Sequence, residues 1–157
     1  CLRCLCHRSL PRIRNSAMPV APDRPIIIHS LDEAKAAVTV AANLGLPITL
    51  RSAPGAAAYL GAQVFRDMIA EATGPDCAIT VTAVFDCGDD PGLALGALRH
   101  GLKVIRINAP AETIDRIADI AAQTGARLEK ETDAPVLDLL ESDDPQAQVR
   151  IWLGQGD

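Results

Sequence analysis

Between Pro25 and Lys130 the chain alternates short apolar runs with stretches of helical spacing, and few architectures accept that rhythm. The runs are PIIIH (25–29), PITL (47–50), AITVTAVF (78–85), KVIRIN (103–108) and a weaker ARLEK (126–130). They are apolar at successive rather than alternating positions, the pattern of strands covered on both faces. Between them, Leu60, Val64, Phe65, Met68 and Ile69 within 56–72 keep helical spacing, as do Ile114, Ile117, Ile120 and Ala121 within 111–124. The punctuation agrees. Ser30-Leu31-Asp32-Glu33 forms a capping box, Asp90 is a natural N-cap before Pro91, and Pro91 and Pro110 suit the first turn of a helix. Gly45, Gly74, Gly101 and Gly125 each stand just past a helix, at intervals of 29, 27 and 24 residues, the length of one strand–helix module. Such alternation specifies a parallel sheet with right-handed crossovers. The tail Ala134–Gly154 reads as one or two short helices, with Val149, Trp152 and Leu153 as an apolar face packing back on the sheet.

The fold class is therefore α/β, with about five strands and C-terminal helices. A closed eight-stranded barrel takes about 250 residues, and this chain has 157. Two designs remain: an open, flavodoxin-like sheet, or a partial TIM barrel. In either, residues 24–157 make a single α/β domain with a helical tail. Hydrophobic residues supply 48 % of the chain, and no apolar run reaches the ~20 residues of a membrane span. The net charge of −5 argues against nucleic acid or an anionic membrane as partner. That charge is unevenly placed. The leader CLRCLCHRSLPRIRNSA carries four arginines, no acid and three of the five cysteines, leaving −9 over residues 18–157. Its Cys/His cluster lacks the paired spacing of a zinc finger, and it has no apolar signal core. Residues 1–23 are read as a disordered basic leader, with Met18 the natural start. The remaining Cys77 and Cys87 fit a reducing cytoplasm without a disulfide framework.

Both designs place a ligand site at the carboxyl ends of the strands. Gathered there are His29 and Ser30, Arg51 and Ser52, the Asp86-Cys87-Gly88-Asp89 turn, Asn108, and Glu129 with Glu131. Thiolate, imidazole and carboxylate all bind zinc, so Asp86, Cys87, Asp89, His29 and a glutamate form a candidate divalent-cation set. The turn SAPGAAA (52–58) opens the second helix with free N–H groups suited to a phosphate or carboxylate, making Ser52 and Gly55 candidate ligand contacts. Each residue also has a plainer role. The aspartates could cap the third helix, Cys87 could fill the core, Ser52 and Gly55 could make a tight turn, His29 could lie in an exposed loop, and the glutamates could form a solvated edge. No Walker A loop, G-x-G-x-x-G, H-E-x-x-H or G-x-S-x-G motif is present.

Residues 25–131 resemble the first five strand–helix units of class II, metal-dependent fructose-bisphosphate aldolases. The resemblance rests on Ser52, Gly55 and Ala56 with Tyr59-Leu60-Gly61, on Asp86-Cys87-Gly88, on His100-Gly101, and on Glu129 and Glu131. HSLDEAKAAVTVAANLGLPI (29–48) is similar to the family's first helix and the approach to its second strand. The resemblance implies a partial aldolase-like barrel, with Asp86 as the catalytic acid/base and Cys87 in place of the first zinc-binding histidine. It further implies Asn108 in place of an aspartate serving a second cation, with Glu131 beside that cation. The family's two further zinc histidines and its sugar-phosphate loops lie on strands six to eight, and nothing after Glu131 supplies them.

The expected function is accordingly an aldolase-like protein binding a small phosphorylated or carboxylated carbonyl metabolite, in its active form a metal-assisted lyase. Asp86 would be catalytic, Cys87, Glu129 and Glu131 would hold the cation, and Ser52, Gly55, His29, Asp89 and Asn108 would contact the ligand. The competing expectation is a catalytically inactive relative with an oligomerisation or regulatory role; a third makes Cys87 a reactive thiol. An incomplete barrel exposes sheet edges, so a homo-oligomer is expected.

Overall fold

A computed structural model describes residues 24–154; the leader read over 1–23 lies outside them. Six strands, β1 (Ile26–Ile28), β2 (Ile48–Ser52), β3 (Val81–Asp86), β4 (Val104–Arg106), β5 (Arg127–Leu128) and β6 (Leu137–Asp138), form one sheet in the order β5-β4-β3-β2-β1-β6. Every pairing is parallel. Five helices, α1 (Leu31–Leu44), α2 (Ala62–Thr73), α3 (Pro91–Arg99), α4 (Ala111–Gln123) and α5 (Pro145–Gly154), complete the array.

Strand order separates the two expected designs. A flavodoxin-like sheet reverses its winding, with order 2-1-3-4-5 and a switch point between neighbouring strands. Here β1 to β5 are laid down in sequence without reversal, the winding of a barrel wall.

The local signals hold closely. Ser30 caps α1, its side chain accepting from Glu33 N at 3.2 Å. The reciprocal half of the box shifts by one residue, because the Glu33 carboxylate accepts from His29 N at 2.6 Å. Asp90 caps α3 through the N–H groups of Gly92 and Leu93, with Pro91 at the first helical position. Pro110 stands one place earlier than expected, as the N-cap of α4.

Two sequence expectations change. The helix read across 56–72 is broken: Ala56–Ala58 form a single 3-10 turn, Gly61 is extended, and α2 begins at Ala62. The amide of Leu60 donates back to Ala56 O at 2.7 Å, closing that turn before a longer helix can propagate. The tail holds a sixth strand as well as a helix. Leu137 N donates to Pro25 O and Leu139 N to Ile27 O, so this segment lies along the free side of β1. Two residues of pairing are too short to carry a periodicity in sequence. Helix α5 then packs against α1 rather than the sheet, with Val149 fully buried.

Alternation along the strands divides the sheet into two faces. Ile26, Ile28, Ile48, Leu50, Phe85 and Ile105 join the helices in the main apolar core, where Phe65 and Phe85 stack at 5.0 Å. The opposite face carries Ile27, Arg51, Val84, Val104 and Arg127, aligned across the sheet by register. Arg51 on β2 and Glu129, just past β5, are three strands apart, roughly 14 Å on a flat sheet. Their side chains nonetheless bond at 2.8 Å, as they do over the hollow of a sheet that curls. That hollow is the inner face.

Candidate functional site

The carboxyl ends of β2, β3 and β4 meet at the rim of the inner face, and Asp86 organises the junction. Its Oδ1 accepts from Gly55 N at 2.9 Å and from Gly88 N at 2.8 Å. Both glycines have positive φ, +66° and +61°, a backbone that turns their amides toward one oxygen and that side-chain-bearing residues seldom adopt. The amide of Asp86 donates to Ser52 Oγ at 2.8 Å, tying β3 to the end of β2. Asn108 N donates to Gly88 O at 2.8 Å, tying the turn to the chain beyond β4.

Around this junction runs an ionic chain. Arg106 Nε lies 3.5 Å from Asp86 Oδ2, its Nη1 donates to Glu129 Oε2 at 3.3 Å, and its Nη2 lies 4.0 Å from Glu131 Oε1. Arg51 donates to the other oxygen of Glu129 at 2.8 Å. Asp86 and Arg51 are buried and so is the Glu129 side chain, while the Arg106 side chain remains 30 % exposed. Arg51 Nε is buried with no hydrogen-bond partner. Charges this deep are stable only when paired, and two guanidinium groups neutralise two buried carboxylates here.

Arg106 opens onto a cleft of about 370 Å³ lined by Pro54, Gly55, Asp86, Gly88, Asp89 and Asn108. A second cleft of about 390 Å³ lies between the ends of β4 and β5, with Arg106, Asn108, Glu129 and Glu131 on its walls. Of the residues singled out in the sequence, Ser52, Gly55, Asp86, Asp89, Asn108 and Glu129 thus lie at one rim, with Glu131 at its exposed margin.

Two residues stand apart. Cys87 turns away from the rim into the apolar core, 1 % exposed, and its thiol donates to Phe85 O at 3.7 Å. Burial pushes the thiol up to about 12, and the negative charges of Asp86 and Asp90 add to the shift. His29 follows the carboxyl end of β1 but is engaged at the lateral β1–β6 edge of the sheet, its Nε2 2.7 Å from Asp138 Oδ1 on β6. Burial pushes the Asp138 carboxyl upward, but the Leu140 N–H and His29 outweigh it and hold the group below its ordinary value.

The site rests on two residues given no role in the sequence reading, Arg51 and Arg106. The signal was there: Arg51 follows the apolar run PITL directly and Arg106 interrupts VIRI, and a charge at such a place needs a partner.

A divalent cation does not fit these donors. Among the described residues, no three His, Cys, Asp or Glu side chains are grouped to hold a metal ion. Cys87 faces the core, His29 is bound to Asp138, and the carboxylates of Asp86 and Glu129 are engaged by amides and arginines.

Fold and rim together define the class: a parallel βα array forming part of a barrel wall, with a polar site at the strand carboxyl ends. Among solved structures, the YdjI aldolase from Escherichia coli K12 is similar over 67 % of this chain and 43 % of its own, with a TM-score of 0.54 and 15 % identity. A protein assigned as a fructose-1,6-biphosphate aldolase from Coccidioides immitis is similar over 83 % of this chain and 52 % of its own, with a TM-score of 0.56 and 17 % identity. The fold is aldolase-like, and the chain spans about half the length of these proteins. No family model and no curated protein sequence matches it.

Proposed function

We propose that this aldolase-like protein binds a small phosphorylated or carboxylated carbonyl metabolite at the rim cleft, without metal-assisted carbon–carbon cleavage. The observation that carries this reading is Arg106. It closes the carboxylate set of Asp86 and Glu129 from one side and presents a partly exposed guanidinium to the cleft. A guanidinium suits carboxylate and phosphate oxygens because its planar fork donates two parallel bonds. Gly55, Asp89 and Asn108 would line the bound ligand. Asp86 would hold the Gly55 and Gly88 turns in place, in preference to the acid/base role that the family resemblance implies. The aldolase relationship of the two similar structures supports a carbonyl compound as ligand.

An inactive relative with an associative role has one observation in its favour. β5 and β6 each have a strand partner on one side only, so a second copy could cover those edges. No helix among the described residues is long and apolar enough to cross a membrane. The free Cys77 and Cys87 suit the reducing cytoplasm.

Isothermal titration of the full chain with a panel of triose and tetrose phosphates and the matching carboxylates tests the binding reading. Saturable binding that weakens in Asn108→Ala is expected; heat from no member of the panel would overturn it. A retro-aldol assay coupled to triose phosphate detection should stay at background with or without added zinc.

A further inference from the structure

We infer that Arg106 is the built-in cation of this rim, occupying the position among Asp86, Glu129 and Glu131 that a divalent ion would otherwise take. The inference rests on the proposed binding function for its ligand, but its main test does not.

Three observations lead to it. First, Arg106 spreads three nitrogens over three carboxylates: Nε toward Asp86 at 3.5 Å, Nη1 toward Glu129 at 3.3 Å and Nη2 toward Glu131 at 4.0 Å. Convergent acidic oxygens would repel one another, and one delocalised positive charge relieves all three. Secondly, the buried groups are already balanced. Arg51 and Arg106 offset Asp86 and Glu129, so a divalent cation added to this set would bring two uncompensated charges into a desolvated site. Thirdly, the spare hydrogen-bonding capacity lies on the donor side. Arg51 Nε is buried without an acceptor, and a donor seeks an oxygen ligand rather than a metal.

On this reading Arg106 determines specificity. A metabolite's carboxylate, phosphate or carbonyl oxygen meets a fixed guanidinium in the cleft, and binding needs no metal. Removing that cation should unmask the carboxylates and create an affinity for divalent ions at the rim.

Manganese titration followed by electron paramagnetic resonance, on the full chain, reads this directly. Arg106→Gln should bind Mn²⁺ about tenfold or more tightly than the unaltered protein, because the competing charge is gone. The added substitution Glu129→Gln should abolish the gain, and Arg106→Lys should show none. Arg106→Met, uncharged and similar in reach, repeats the comparison should the Gln variant fail to fold. Equal or weaker Mn²⁺ binding in the uncharged variants would overturn the inference, as would stoichiometric Mn²⁺ binding by the native chain. A second arm uses dihydroxyacetone phosphate as probe in the presence of a chelator. Binding that persists supports a guanidinium contact; binding lost to chelator and restored by zinc overturns it. Failure of the probe to bind under either condition would count against the proposed function while leaving the manganese result to decide the role of Arg106.

Discussion

The two faces of the sheet are held together by different physics. The helix-covered face is an ordinary apolar core in which Phe65, Phe85, Leu50 and Ile105 are all but inaccessible. Its stabilisation comes from burial and dispersion, which are non-directional and forgiving of repacking. The inner face buries Ile27, Val84 and Val104 beside Arg51, Asp86 and Glu129, so apolar packing there surrounds a charge network. Charge pairs under cover tolerate little rearrangement, because each loss leaves a partner unpaired. The comparison teaches where function has room: the rigid core fixes the strand ends, and the charged face spends its stability on a particular arrangement of side chains.

The sharpest way to break this contrast is to damage each face in turn. Phe85→Ala should cost about 3–5 kcal/mol in urea unfolding, from lost burial and the cavity left behind. Glu129→Ala should cost about as much, ~3–5 kcal/mol, for the different reason that Arg51 is left buried and unpaired. The double change Arg51→Met with Glu129→Leu should recover most of that loss, since apolar residues can replace a buried pair at little cost. If the double variant were as unstable as Glu129→Ala alone, the inner face would be held by something other than its charges.

Reactivity separates the faces next. With its thiol pushed up to about 12, Cys87 should be alkylated at pH 8 roughly a thousandfold more slowly than a model thiol. Cys77, only partly buried, should label before Cys87. Mass spectrometry of the native and urea-unfolded chain would show this. Rapid native labelling of Cys87 would mean that it belongs to the rim rather than the core.

A smaller effect sharpens how the rim is hung on the core. Ser52→Ala leaves the buried Asp86 amide without its acceptor and should cost about 1–3 kcal/mol, read as a shift of the unfolding midpoint. Weakened metabolite binding should accompany it if Asp86 positions the Gly55 and Gly88 turns.

The smallest effect lies at the β1–β6 edge. Asp138 has its folded carboxyl below the ordinary range, so its contribution to stability is present above the unfolded value of ~3.9 and is lost as pH falls through the folded one. Unfolding curves of the native chain and Asp138→Asn should therefore differ at about pH 5 and converge on the acid side of ~pH 4. Because Asp138 is half exposed, solvent screens the pair and the gap should be small. Curves that diverge as the pH falls would show that His29 and Asp138 do not stabilise this edge.

What was legible in sequence follows the same division. The strands of the helix-covered face announced themselves as apolar runs, and Ser30, Asp90 and Pro91 marked helix starts because capping is local chemistry. The break at Gly61 was missed because the apolar spacing continues across it, although Val64 on that stripe proves 57 % exposed. β6 was missed because its two paired residues depend on β1, more than a hundred positions earlier. Asp86, Gly55 and Asn108 were rightly placed at one end of the sheet, since strand direction follows from the βα alternation. The partners of those residues were not legible. Cys87 follows Asp86 directly, and the turn sends one side chain to the rim and its neighbour into the core.

The amino-acid sequence by itself determined the parallel βα alternation, the helix starts and the end of the sheet that bears the polar residues. Each of these depends on neighbours within a few positions or on a repeating period. Only the tertiary structure decided that the sheet winds as a barrel wall, that Leu137 and Asp138 extend it beside β1, and that Arg51 and Arg106 neutralise Asp86 and Glu129. Those outcomes turn on distances between residues far apart in the chain, and electrostatic pairing is set by such distances and by the exclusion of water.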